Sequence, residues 1–157
     1  MTMLLIGIGA VLLVAAVLGI RRRMVIVSVS GPSMIPTLHP GDRLLVRRVP
    51  LAGVRLGDVV VVRESGPCRP GDPTGARGIP WIVKRVVALP GDPEPDFLPR
   101  WARGTGVVAS GMLLVLGDNH AVSRDSRHFG AVPAERVLGI AIRRLGGDKL
   151  AVRPPSW

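Results

Sequence analysis

The sequence predicts a mainly β protein, an N-terminal transmembrane helix followed by a small β-barrel-like or folded-sheet domain. Three observations carry this reading. The apolar run from Leu4 to Ile20 is 17 residues long without a charge. Behind it the apolar residues fall in short β-branched runs rather than at the 3.6-residue period of an amphipathic helix. Gly-Asp pairs punctuate those runs at Gly41-Asp42, Gly57-Asp58, Gly91-Asp92 and Gly117-Asp118, each predicting a turn.

Together with Met1 to Met3, the apolar run reaches about 30 Å as a helix at about 1.5 Å per residue, enough to cross a bilayer. Arg21-Arg22-Arg23 follow it. A cleaved secretory signal carries its positive charge ahead of the apolar run and a small-residue site behind it. The order here is the reverse, so residues 1–23 are read as an uncleaved anchor with a basic flank. The expectation is a single-pass protein of the plasma membrane in contact with phospholipid.

Residues 24–157 then form one domain, since 157 residues with 47% hydrophobic content support one modest core rather than two. Met24 to Ser30 alternates loosely, Arg43 to Val49 is apolar between basic residues, Val59 to Arg63 opens with four valines, and Trp81 to Leu89 is a further strand-like run. Glu64 to Pro80, crowded with Gly and Pro, reads as a loop. Gly91 to Gly111, with Pro93, Pro95 and Pro99, reads as a short excursion between core strands.

Composition removes several function classes. Aromatic content is 3% with no tyrosine, too little for a base-stacking platform, so nucleic acid is not an expected partner. The net charge of +10 rests on 19 arginines and two lysines, Lys84 and Lys149, and suits anionic lipid headgroups as well as it suits phosphodiesters. Cys68 is the sole cysteine, which excludes an intrachain disulfide and any CxxC metal site. His39, His120 and His128 include no pair at metal-ligand spacing. No metal or cofactor is expected, and the protein is expected to be monomeric.

Chemistry concentrates in three stretches. In Ser30-Gly31-Pro32-Ser33-Met34-Ile35-Pro36-Thr37-Leu38, Ser33 stands between two prolines that leave little room for helix, so its hydroxyl is expected on a stiff, extended loop. Gly31 is expected to permit a backbone approach that a Cβ would block. Ser33 is the candidate nucleophile, although Gly-Pro-Ser by itself reads equally well as a turn. A serine hydroxyl needs a base. Lys84, in Trp81-Ile82-Val83-Lys84-Arg85-Val86-Val87, shares a strand face with Ile82 and Val86 while Arg85 points away. Among apolar neighbours the ammonium is disfavoured, and a fall from about 10.4 to about 7 or 8, at roughly 3 to 5 kcal/mol, leaves a usable neutral amine. Arginine cannot do this. A lysine at a strand edge whose amine reaches water is the competing reading. The third stretch, Gly117 to Gly130, is dense in polar groups after an apolar strand. There Ser123 is placed to orient Lys84, and Asp125 to pair with Arg85 and Arg127.

Taken together, the three stretches resemble type I signal peptidases, the membrane-bound Ser-Lys serine proteases, in a compact form like the bacterial or mitochondrial inner-membrane members. The resemblance runs over most of residues 28 to 142. Gly31-Pro32-Ser33-Met34-Ile35-Pro36-Thr37-Leu38 is similar to the nucleophile motif, Gly57-Asp58-Val59-Val60-Val61 to a Gly-Asp-hydrophobic strand, Lys84 through Asp92 to the motif of the lysine base, and Gly117-Asp118-Asn119 through Arg127 to the final box. It implies a Ser33/Lys84 dyad, a hydrogen bond from Ser123 to the lysine, and a supporting ion-pair group of Arg85, Asp125 and Arg127. Met34, with Pro36 and Ile82, is implied to lie at the substrate. Where some bacterial members have a serine that helps the oxyanion hole, this chain has Gly31, which leaves the Ser33 N–H as the nameable donor. A relative in the endoplasmic reticulum uses histidine where Lys84 stands, so with Lys84 present no histidine is required as base.

The implied activity is endoproteolysis of secretory preproteins after small residues, A-x-A-like, with the substrate added as a strand beside Val25 to Ser30 and Trp81 to Lys84. The implied location of the catalytic domain is the extracytoplasmic face, against the positive-inside tendency of Arg21-Arg22-Arg23. Three rival readings are a maturation protease dedicated to one protein, a self-cleaving repressor-type Ser-Lys protease, against which stands an anchor where such proteins carry a DNA-binding module, and a membrane-tethered β domain that binds a partner and cleaves nothing.

Overall fold

The computed structural model describes residues 19, 23–63, 81–147 and 150. The apolar run Leu4 to Ile20, save Gly19, and the Glu64 to Pro80 loop with Cys68 lie outside the described residues. What is described is mainly β, as expected. Seven strands, β1 (Met24–Ser28), β2 (Arg43–Arg47), β3 (Val59–Arg63), β4 (Trp81–Ala88), β5 (Met112–Leu116), β6 (Val132–Pro133) and β7 (Val137–Arg144), make one antiparallel sheet in the order β1-β2-β7-β3-β4-β5-β6. One four-residue helix, α1 (Ser126–Phe129), follows β5. Among the described residues the terminal strands β1 and β6 each pair on one side only, so the described sheet is folded rather than closed into a barrel.

The valines of β3 show how the sheet folds on itself. Val59 and Val61 pack in one core cluster with Val29, Met34, Leu38, Leu44 and Val46, whereas Val60 and Val62 pack in a second with Val86, Leu113, Val115 and Ile140. Successive side chains point to opposite faces, so β3 is buried on both. That is why it reads as an unbroken apolar run rather than an alternating one. A third cluster, with Val87, Ala88, Leu98, Val108, Leu114 and Leu116, seats the 91–111 excursion on β4 and β5. Irregular register in β2–β7, β3–β7 and β4–β5 lets the strands bend around these cores.

β7 was not legible as a strand. It lies between β2 and β3 in the sheet, yet Val137–Arg144 is interrupted by Gly139 and ends in two arginines, so its own pattern does not mark it as a strand. Three of the four Gly-Asp pairs are turns as expected, with positive φ at Gly41, Gly57 and Gly91, where a side chain is strained. In each, the aspartate closes its own turn by accepting from the main-chain N–H three residues back, at His39, Arg55 and Leu89. The fourth pair behaves differently and belongs to the site.

Candidate active site

Ser33 is delivered by one turn of 3-10 helix, Pro32–Met34, and not by the extended loop the sequence suggested. Pro32 accounts for the difference. Its fixed φ suits the first position of a helical turn, where a missing N–H goes unnoticed. The residues before each proline, Gly31 and Ile35, are extended, as the proline ring demands. Met34 is fully buried in the first core cluster and pins the turn from beneath, leaving Ser33 partly exposed above it. Pro36 is exposed, and Ile82 packs half-buried against the second cluster.

Lys84 meets Ser33 from β4. Its Nζ lies 2.8 Å from Ser33 Oγ and 3.1 Å from Ser123 Oγ, and the residue is only 3% exposed. A buried amine is thus held between two hydroxyls. Ser123 in turn hydrogen-bonds the fully buried Asp125. Burial by itself raises a carboxyl, but bonds from Arg127, Ser123 and the Gly117 N–H outweigh it and hold Asp125 below its ordinary value. The Arg127 guanidinium, at 2.9 Å from both carboxylate oxygens, is raised by the same contact. Arg127 also donates to the His120 carbonyl at 3.0 Å, tying down the loop that carries Ser123. Asp125 caps α1 as well, accepting from the Arg127 N–H while His128 Nδ1 accepts from the Asp125 N–H.

The fourth Gly-Asp pair joins β5 to the Ser33 turn. Asp118 receives Arg85 through two bonds, Nε at 2.8 Å and Nη2 at 2.7 Å, and also accepts from the Thr37 hydroxyl. Arg85 Nη1 reaches the Gly57 carbonyl at 2.8 Å. Asn119 donates its main-chain N–H to the Ser33 carbonyl at 2.9 Å and its Nδ2 to the Pro32 carbonyl at 3.3 Å. Gly117 is needed for close approach. A Cβ there would lie 2.5 Å from the Ser33 carbonyl oxygen and 2.6 Å from Ser123 Cβ.

A model of the family described as signal peptidase, peptidase S26, matches residues 2–93 and 95–145. The chain belongs to this family. The signal peptidase family comprises serine endopeptidases, and its relatives here include the Arabidopsis thaliana mitochondrial ATP-independent inner membrane protease subunits 1a, 37% identical over 123 residues (74% of this chain, 67% of the relative), and 1b, 38% identical over 121 residues (73% and 66%). Signal peptidase I of Leptolyngbya laminosa is 29% identical over 136 residues, 74% of this chain and 66% of that one. The chain spans about two thirds of the length of these relatives.

In this signal peptidase relative the expected residues Ser33, Lys84, Ser123, Asp125 and Arg127 form one connected hydrogen-bonded chain. Two expectations are corrected. Arg85 pairs with Asp118 and not with Asp125, because Arg127 already occupies both oxygens of Asp125. Gly31 is extended and a Cβ on it would meet nothing within 4 Å, so its presence is not explained by close backbone approach. Thr37, Asp118 and Asn119 were not singled out by sequence reasoning. Asp118 was masked by its Gly-Asp setting, which looks like the three turn pairs but lacks their positive φ.

Proposed function

We propose that this protein is a membrane-anchored serine endopeptidase that cuts signal peptides of secretory preproteins after small, A-x-A-like residues, with Ser33 as nucleophile and Lys84 as general base. The 2.8 Å contact between Lys84 Nζ and Ser33 Oγ carries the reading. Burial disfavours an ammonium and so favours the neutral amine a base requires. Neutral Lys84 takes the Ser33 proton as Oγ attacks the scissile carbonyl. The Ser33 N–H, the second residue of a helical turn and so without a partner inside it, supports the oxyanion. Lys84 passes the proton to the leaving amine as the peptide bond breaks, then activates the water that releases the acyl group from Ser33. Ser123 fixes the amine between these tasks.

Two open edges support substrate binding as an added strand. β1 pairs only with β2, and β5 pairs with β4 only from Arg85 onward, leaving one edge of Trp81 to Lys84 without a strand among the described residues. Both edges flank the nucleophile turn, where an extended peptide gains main-chain bonds. The family match begins at residue 2 and so includes the apolar run, in keeping with an anchor that spans a membrane. Preproteins are cut after translocation, which puts the catalytic domain on the extracytoplasmic face despite the arginines behind the anchor. The decisive experiment is cleavage of an A-x-A preprotein by detergent-purified Ser33→Ala and Lys84→Ala, each expected to be inactive and folded. Wild-type turnover in Lys84→Ala would overturn the dyad.

A further inference from the structure

We infer that Asn119 is a positioning residue for the oxyanion donor, acting through the Pro32 carbonyl. The inference rests on the proposed Ser33/Lys84 peptidase reading. The Ser33 N–H and the Pro32 C=O are the two ends of one rigid peptide plane. Asn119 Nδ2 donates to that C=O at 3.3 Å, so holding one end aims the other. The Asn119 main-chain N–H holds the next plane through the Ser33 carbonyl at 2.9 Å. The Pro32 carbonyl also accepts from the Ile35 N–H at 3.2 Å within the turn, so Asn119 adds an external hold to an internal one and limits rotation of the Ser33 N–H away from a developing oxyanion. Polarising the carbonyl also makes the N–H at the far end of the same amide a stronger donor. With a glycine at Gly31 no side-chain hydroxyl is present there as an additional donor, so the orientation of the Ser33 N–H carries more weight.

The division of labour within Asn119 provides the test, because a side-chain substitution removes the Nδ2 bond and keeps the main-chain one. Asn119→Ala and Asn119→Asp, made in the full chain, are expected to lower kcat on an A-x-A preprotein by about tenfold or more while KM stays within about twofold, since loosening a donor forfeits part of the effect of deleting one. A tripeptide boronic acid ending in alanine forms a B–O bond to Ser33 Oγ and places a boron-bound oxygen where the oxyanion forms. Its affinity is expected to fall by the same factor as kcat, with the thermal midpoint of the variants unchanged. Equal kcat in wild type and both variants overturns the inference, and so does a fall in kcat with boronate affinity unchanged. A wild type that cleaves no preprotein overturns the proposed function and this inference with it, an outcome distinct from the other two.

Discussion

Arg85 grips Asp118 with two parallel hydrogen bonds, and the same carboxylate accepts from the hydroxyl of Thr37 on the Ser33 segment. Strand β4 therefore meets that segment twice, through Lys84 at Ser33 and through Arg85 by way of Asp118 at Thr37. Consecutive residues of a strand point to opposite faces, so the segment straddles the edge of β4.

Removing one partner of this largely buried pair leaves the other charge uncompensated. Asp118→Ala is expected to destabilise the protein by about 3 to 5 kcal/mol, with Asp118→Asn milder because it keeps an acceptor for Arg85. Chemical denaturation of the purified variants checks both values.

Gly117→Ala places a methyl against the Ser33 carbonyl and Ser123, and the obstacle on one side is main chain that no rotamer change can clear. The expected stability loss is about 1 to 3 kcal/mol. Activity should fall by a far larger factor, because the atoms forced apart carry the two hydroxyls that flank Lys84. Matched melting and turnover measurements separate the two effects.

The pH dependence of stability should identify Asp125. Its folded-state value is depressed below 3.8, so the carboxylate contributes stability that is present above its unfolded value and is lost as pH falls through the folded one. The stability gap between wild type and Asp125→Asn is expected to be widest near neutral pH and to close below about pH 4. Paired denaturation curves across that range would show a constant gap if the charge played no part.

With Lys84 as the proposed base, turnover is expected to rise with pH along a single limb, because only a neutral amine can accept the Ser33 proton. Lys84→Arg should remain inactive across the whole range, since a guanidinium does not deprotonate. A flat profile under conditions where chemistry limits the rate would exclude an amine base.

Sidedness is open to direct measurement because Cys68 is the sole thiol. A membrane-impermeant maleimide is expected to label it in intact cells whose outer surface is accessible. Labelling only after lysis would place the domain in the cytoplasm and favour a dedicated maturation protease.

Much of the site was legible because its chemistry depends on residue type. A serine between prolines, one lysine in an apolar strand of an arginine-rich chain, and a polar segment after β5 each stand out from their surroundings. The partner of Arg85 was not legible. Asp118 and Asp125 are both aspartates in the same polar segment, and only the folded backbone decides that Arg127, two residues along from Asp125, takes that carboxylate first. The turn at Ser33 was misread for a related reason. Proline forbids the interior of a helix but favours its first position, and which of the two applies depends on Met34 finding its place in the core. β7 escaped notice because its identity as a strand comes from the two neighbours it pairs with rather than from its own pattern.

The 91–111 excursion leaves and rejoins the sheet through a narrow neck, where Gly91 donates to the Val108 carbonyl and Val108 donates to the Asp92 carbonyl. Beyond that neck Leu98 packs with Val87, Ala88, Leu114 and Leu116, and Trp101 and Ala102 lie against Gly130 at the end of α1. The excursion is thus a buttress. Its inner half shares a core with β5 and with β4, the strand that carries Lys84 and Arg85, and only its exposed rim at 103–107 is open to exchange without disturbing that core.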